Sequence, residues 1–493
     1  MSAQKTAKTA DKADKENKNG TMLQCFEWYL PSDSSLWKKI EKDAANLADM
    51  GFTSIWMPPA TKGAFGDKGT GYAVYDVYDL GEFDQKGSVA TKYGTKDEYI
   101  DAIKACHKAG IGVYADTVLD HKIGADEAET LTAEECASTD RTLPTSGEEQ
   151  IKAWTKFTFP GRKGKYSDFI WDSTCFDGVD WDDNRKKNAV YLFQGHNWNS
   201  GVNSENGNYD YLMGADIDFD SQKVCDELTK WGKWYLDTTG IDGFRLDAVK
   251  HIKAKFYKKW LTDMREYSGK PLFTVGEYWN RSVGELENYL GMVNGEMSLF
   301  DVPLHFNLFA ASNDGYNFDM RNILNGSLVA ENPTHAVTFV DNHDTQPGQA
   351  LCSYVRDWFR PMAYAIILLR EGGYPCVFGG DLSGIPHDNI AQMRDIGTLL
   401  KIRSEYAYGT QHDYFDDSHC IGWTREKYGI AVIMSAHGDS GKTMYVGLEH
   451  AGKTYRDILG NKDDTVTIGA DGNAMFPVKD GTLSVWMNTE DRI

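Results

Sequence analysis

The sequence has no long apolar run, no closely paired cysteines and no excess of positive charge. A membrane-spanning helix needs about 20 consecutive apolar residues, and no segment offers them. Residues 1–19 carry five lysines, three acids and no bulky apolar residue except Met1. They lack the apolar region of a secretory signal and read as a disordered tail, so a cytoplasmic protein is expected, or a secreted one if a signal has been removed. Among charged residues, 73 acids outnumber 52 lysines and arginines, for a net charge of -21. That balance excludes binding to a phosphate backbone, which requires a basic surface, and suits a neutral ligand. No nucleic-acid or membrane partner is expected, and the protein reads as a monomer. The eight cysteines (25, 106, 136, 175, 225, 352, 376 and 420) form no Cys-x-x-Cys pair. Zinc-ribbon chemistry is thereby disfavoured, and a reducing compartment is expected. Cys106 and Cys225 fall on the apolar faces of expected helices. No His-Glu-x-x-His motif marks a zinc hydrolase. No Gly-rich phosphate turn follows the first strand, which argues against an open dinucleotide-binding sheet.

What is present is an alternation of strands and helices. Met22–Trp28 reads as a strand. Leu36, Ile40, Ala44 and Leu47 then recur at helical spacing until Gly51. Thr53–Met57 is a second strand, closed by Pro58-Pro59. Thr95-Lys-Asp-Glu98 is a capping box that opens a helix burying Ile103 and Cys106. A third strand spans 111–118. The alternation resumes with a helix from Ser221, followed by strands near 243–247, 272–277, 298–304, 336–341 and 376–381. Eight strands separated by helices predict an α/β fold, the closed (β/α)8 or TIM barrel. The barrel is expected over 20–118 and 219–403. Residues 119–218 are rich in Gly, Asp, Asn and Trp, and predict an irregular β-rich domain inserted after strand 3. From residue 404, short runs such as Ile430–Met434, Thr443–Gly447 and Leu483–Met487 predict a C-terminal antiparallel β-sandwich over 404–493.

Four barrel strands end in charged clusters: Val113-Tyr-Ala-Asp-Thr-Val-Leu-Asp-His121, Gly243-Phe-Arg-Leu-Asp-Ala-Val-Lys-His251, Phe273-Thr-Val-Gly-Glu-Tyr-Trp279 and Val337-Thr-Phe-Val-Asp-Asn-His-Asp344. The carboxyl ends of barrel strands are where this architecture places its chemistry. Arg245 and Asp247 stand two residues apart, so they share a strand face, and the cation favours an ionised Asp247. Glu277 follows an apolar run, which suits a carboxyl that must hold a proton. Asp344 follows His343. Three carboxyls at one mouth are costly to keep charged together, which points to selection for a reaction.

Together these stretches resemble the α-amylase family of glycoside hydrolases. The resemblance runs from Leu23 to Trp486. It is closest to the liquefying bacterial branch and its cytoplasmic relatives, through Gln24-Cys-Phe-Glu-Trp-Tyr29, Tyr78-Asp-Leu-Gly-Glu-Phe83, Asn206-Gly-Asn-Tyr-Asp-Tyr-Leu-Met213 and His343-Asp-Thr-Gln-Pro347. It implies retaining endo-hydrolysis of α-1,4-glucosidic bonds in starch, glycogen or maltodextrins. Asp247 is then the nucleophile, Glu277 the general acid/base and Asp344 the carboxylate that stabilises the distorted sugar. Retention implies Asp247 and Glu277 carboxyls about 5–5.5 Å apart. Tyr72, His121, Arg245, Lys250, His251, Trp279 and His343 match substrate-binding positions. A glucan transferase would use the same three carboxylates, so it remains an alternative. An inactive glucan-binding module is the rival from another class.

Asp177, Asp210, Asp216, Asp218 and Asp220 crowd the inserted domain, and oxygen ligands in such number suit calcium. Their spacing is not that of an EF-hand. The resemblance implies one calcium ion tying the inserted domain to the barrel through Asp120, Asp210, Asp216 and the carbonyl of His251, with Asp177 and Asp218 nearby. Asp120 stands where the family usually has Asn, and Asn199 where relatives with a second calcium have Asp. His412-Asp413 match part of a further site near the terminal domain.

Overall fold

A computed structural model of the protein describes residues 19–491. The expected tail lies outside the described residues, apart from Asn19. That residue is anchored: its amide donates to the carbonyls of Arg403 (3.1 Å) and Ala407 (2.8 Å).

Eight strands form a closed barrel: β1 (Met22–Gln24), β2 (Ser54–Met57), β3 (Gly112–Thr117), β4 (Gly243–Leu246), β5 (Phe273–Gly276), β6 (Ser298–Phe300), β7 (Ala336–Phe339) and β8 (Tyr374–Phe378). Their order around the barrel is β1-β8-β7-β6-β5-β4-β3-β2. The pairing is parallel: Arg245 lies opposite Asp116 of β3 and Val275 of β5. Each strand is buried on both faces, which is why the sequence shows runs of Val, Ile, Leu and Phe rather than alternation. Several expected strands end earlier than anticipated, and the first, expected over Met22–Trp28, ends at Gln24. The run over 298–304 stops at Phe300 because Val302 opens a helix, and that over 376–381 stops at Phe378 because Gly379–Ser383 forms a helical turn.

The helices follow from local signals. Helix α1 (Leu36–Asp49) buries Leu36, Trp37, Ile40 and Ala44. Helix α2 (Lys96–Lys108) has the expected capping box, with the Thr95 N–H donating to Glu98 Oε2 at 2.9 Å and the Glu98 N–H to Thr95 Oγ1 at 3.4 Å. Helix α3 (Gln222–Thr239) buries Val224, Leu228 and Trp231, and ends at Gly240 in the left-handed conformation. Cys106 is buried as expected, Cys225 is half-buried and Cys352 exposed; no disulfide joins any of the eight cysteines.

The chain divides into two compact units. Among the described residues, one comprises those from 19 through Glu27, Leu47–Ser54 and those from Pro303 to 491; the other comprises Trp28–Asn46 and Ile55–Val302. Within the second, residues 121–217 carry a six-stranded sheet that includes the hairpin Glu127–Glu135/Glu149–Lys156. Ile151, Ala153 and Thr155 alternate inward along it. Within the first, Gln411–Asn488 carries a six-stranded antiparallel sheet and the two-stranded pair Ser440–Tyr445/Asn473–Val478. Its core includes Ile433, Met444, Tyr455, Phe476 and Trp486.

Candidate active site

Arg245 is the centre of one cluster. It sits on β4, fully buried, with its guanidinium carbon 5.0 Å from the centre of the Trp56 ring. Nη1 donates to Asp116 Oδ1 at 3.0 Å and to Asp247 Oδ1 at 2.5 Å; Nη2 lies 3.7 Å from Glu277 Oε2. One cation thus faces carboxylates from the ends of three adjacent strands. Backbone bonds fix the last two of them: Asp247 N–H donates to the Thr117 carbonyl, Glu277 N–H to the Leu246 carbonyl, and Ala248 N–H to Glu277 Oε2 at 2.9 Å. Ala248 takes a left-handed conformation (φ 49°), which turns the chain sharply after Asp247. The Asp247 and Glu277 side chains each keep 13% of their surface accessible, so both can meet a ligand.

Asp116 received no role in the sequence reading, although it stands within the first motif. It accepts hydrogen bonds from Trp56 Nε1 (3.0 Å), Tyr72 (2.7 Å) and Arg245. Burial pushes its carboxyl up to about 6 against the opposing pull of Arg245. The signal that could have found it is register, because Asp116 is the direct β3 partner of Arg245.

Tyr72 stacks on Trp28 with ring centres 5.9 Å apart and planes within 6°. Its carbonyl meets His121 Nε2 at 2.8 Å, and the other ring nitrogen meets Asp120 Oδ2 at 3.1 Å. Burial opposes charge on His121, yet Asp120 beside it raises its pKa. Lys250 donates to Glu205 Oε2 (3.0 Å) and the Trp279 carbonyl (3.2 Å), which places Lys250 and Trp279 together. His251 donates from Nδ1 to the Tyr209 carbonyl at 2.7 Å, and burial lowers its pKa to about 3, leaving it neutral.

The other compact unit holds His343 and Asp344, after β7. His343 is buried, with Nδ1 2.9 Å from Gln24 Nε2 and Nε2 3.3 Å from Asp344 Oδ2. The Asn342 side chain accepts from the Asp344 and Thr345 N–H groups at 2.9 Å each, and Thr345 Oγ1 donates to the buried Asp341 at 2.8 Å. This turn presents the Asp344 side chain, which is 29% exposed.

A second cluster lies in the inserted domain. Oxygen atoms of Asp177, Asp210 and Asp216 approach within 4.8 Å of one another, and all three residues are buried. Burial pushes Asp177 up to about 7 and drives Asp210 and Asp216 well above the usual range, with mutual repulsion adding to the effect. Asp120 acts on Asp210 and Asp216 through its charge. Asn199 donates its amide to Asp177 (2.5 Å) and Asp210 (3.0 Å). Asn199 Oδ1 and Asp216 Oδ2 are buried without a hydrogen-bond partner. Unpartnered buried oxygens among crowded carboxylates fit a hard cation.

Asp218 joins His196 and the shared Asp177 in a second set of side chains that could hold a metal ion. His196 Nδ1 lies 3.4 Å from both Asp177 Oδ1 and Asp218 Oδ2, and those two acids raise its pKa to about 9. No spacing signal marked His196 in the sequence. Asp220 instead is exposed and paired with Lys253. Near the terminal sheet, Asp413 is held by two Arg370 nitrogens (2.7 and 2.9 Å) and His412 by Glu426 (2.8 Å). Arg370 therefore supplies the positive charge that a cation would bring there.

A parallel barrel with buried carboxylates gathered on an arginine at its strand ends defines a barrel enzyme equipped for acid–base chemistry. Residues 37–433 match the model of the α-amylase catalytic domain, and residues 431–487 that of the α-amylase C-terminal domain. The chain is 55% identical over 478 residues to an α-amylase of Geobacillus stearothermophilus, covering 95% of this chain and 87% of that one. It is 42% identical over 492 residues to a cytoplasmic α-amylase of Escherichia coli, covering 96% and 99%. The solved α-amylase of Geobacillus thermoleovorans, complexed with acarbose, shares the fold, with a TM-score of 0.62 at 17% identity over 96% and 99% of the two chains. The chain belongs to the α-amylase family of glycoside hydrolases.

Proposed function

We propose that this protein is an α-amylase that hydrolyses internal α-1,4-glucosidic bonds with retention of configuration. The observation that carries the reading is Arg245, which faces both Asp247 at 2.5 Å and Glu277 at 3.7 Å. An ionised Asp247 attacks the anomeric carbon. Glu277 gives its proton to the glycosidic oxygen as that bond breaks, leaving a glycosyl ester on Asp247. Glu277, now a carboxylate, takes a proton from water; the water oxygen attacks the same carbon and Asp247 is released. Asp344 accepts hydrogen bonds from sugar hydroxyls and stabilises the oxocarbenium-like state, beside His343. Tyr72 and Trp28 offer a stacked aromatic face for a sugar ring, with His121 next to it. Lys250 and His251 serve the leaving-group side, and Trp279 lines the cleft.

Calcium fits the Asp177–Asp210–Asp216 cluster, with Asp120 adding charge and the His251 carbonyl as a further ligand. When bound, the ion neutralises these carboxylates and stiffens the inserted domain. Asp218 and His196, with the shared Asp177, form a second candidate metal set beside it. The likeness to a cytoplasmic relative and eight cysteines that form no disulfide support a reducing, intracellular setting.

The test is the product ladder from maltoheptaose with calcium supplied, using Glu277→Gln as the control. Shorter sugars alone, absent with the variant, are expected. Products both longer and shorter than the substrate would assign a glucan transferase. Unchanged substrate would leave glucan binding without catalysis and overturn the reading.

A further inference from the structure

Gln24 ends β1 with its side chain fully buried, far in sequence from any charged motif. Its amide nitrogen lies 2.9 Å from His343 Nδ1. An amide N–H can only donate, so Nδ1 must present its lone pair, and the neutral ring must carry its proton on Nε2. Nε2 is the nitrogen that stands 3.3 Å from Asp344 Oδ2. The reverse arrangement puts the proton on Nδ1 and sets the Nε2 lone pair of the buried ring against a carboxylate, two acceptors facing each other. Phe26, two residues after Gln24, packs on the imidazole with ring centres 5.2 Å apart, so the ring is held by the same strand end that supplies the amide.

We propose that Gln24 is a positioning residue for glucan hydrolysis: it holds His343 in its Nε2-protonated form, so that Nε2–H faces Asp344 and the sugar hydroxyl that Asp344 accepts. This deepens the amylase reading and rests on it. The imidazole then donates without carrying a charge, and its donor is fixed before substrate arrives. Gln24 touches no substrate; it acts through the histidine. The backbone protects the arrangement, because Gly379 brings β8 so close to β1 that a Cβ there would lie 2.7 Å from the Gln24 carbonyl oxygen.

The test combines a spectroscopic readout with kinetics on the full chain. Nitrogen-15 spectra of ring-labelled histidine, assigned by loss of the signal in His343→Gln, should show a protonated Nε2 and an unprotonated Nδ1 for His343. Gln24→Glu, once ionised by raising the pH, offers only acceptors and should place a proton on Nδ1. Gln24→Leu removes the donor and should lower kcat on maltoheptaose by about 100-fold, with a smaller change in KM, as for a misplaced transition-state contact. A wild-type spectrum with the proton on Nδ1 alone would overturn the proposal. So would Gln24→Leu with unchanged kcat and KM in protein that melts as the wild type does. If Gln24→Leu does not fold, the wild-type and Gln24→Glu spectra still decide. The tautomer is read without turnover, so a protein that hydrolyses no glucan yet shows protonated Nε2 would refute the amylase reading and leave the histidine geometry standing.

Discussion

Tyr72 donates its phenol proton to the Asp116 carboxylate over 2.7 Å, and so ties an aromatic ring at the site to the buried base of the arginine cluster. Asp116 is acceptor for three donors from three parts of the chain: Trp56, Tyr72 and Arg245. Asp116 thus ties Tyr72 to the guanidinium that also meets Asp247.

Asp116→Asn should therefore harm both stability and activity. It removes one counter-charge from a fully buried guanidinium and turns an acceptor into a group that also donates toward it. Breaking one partner of a buried ion pair costs about 3–5 kcal/mol. Chemical denaturation should show a loss of that size, and kcat should fall because Arg245 no longer fixes Asp247. A variant with wild-type stability and turnover would mean that Asp247 alone suffices to hold the guanidinium.

The acid cluster in the inserted domain predicts a pH-dependent response to calcium. Folding raises the Asp177 pKa to about 7, and those of Asp210 and Asp216 well above the usual range. Without a cation, the folded protein binds more protons than the unfolded chain between the ordinary aspartate value, about 3.9, and these raised values. The cluster's contribution to stability is fully present below that ordinary value and is lost as pH rises through about 7. A divalent cation reverses the trend, because it requires the ionised forms and releases protons on binding. In chelator-treated protein, Tm should fall as the medium goes from mildly acidic to neutral. The gain on adding calcium should grow over the same interval, to about 2.7 kcal/mol at a hundredfold excess over Kd. A calcium gain independent of pH would show that these carboxylates are not the ligands.

Gly379→Ala should strain the junction of β8 and β1. The new Cβ would sit 2.7 Å from the Gln24 carbonyl oxygen and 3.0 Å from the Phe26 nitrogen, both backbone atoms that cannot swing away. Overpacking of this kind costs about 1–3 kcal/mol. A lowered Tm and a reduced kcat are expected, the second because Gln24 and Phe26 carry His343. An alanine variant indistinguishable from wild type by calorimetry and kinetics would mean that β1 accommodates the methyl group without moving.

The barrel was legible because its strands are buried on both faces and read as unbroken apolar runs. The start of α2 was legible because Thr95 and Glu98 form a cap whose partners are three residues apart. Strand ends were less so. Val302 and Gly379 continue apolar or neutral stretches, and only the helical turns formed there show where β6 and β8 stop. The hairpin Glu127–Glu135/Glu149–Lys156 hid behind its charged outward faces, although Ile151, Ala153 and Thr155 alternate beneath them.

The sequence by itself determined the chemical groups and the order in which strands deliver them: Arg245 and Asp247 on one strand end, Glu277 on the next, His343 and Asp344 two strands later. Those facts are local, since they rest on period, spacing and residue type. Tertiary structure alone decided the partners of these groups. Asp116 became the acceptor of Trp56 and Tyr72, His196 settled between Asp177 and Asp218, Arg370 paired with Asp413, and Gln24 came to His343 across more than three hundred residues. A hydrogen bond depends on where two atoms lie in space to within a few tenths of an ångström. Sequence separation carries no such information once strands close into a barrel.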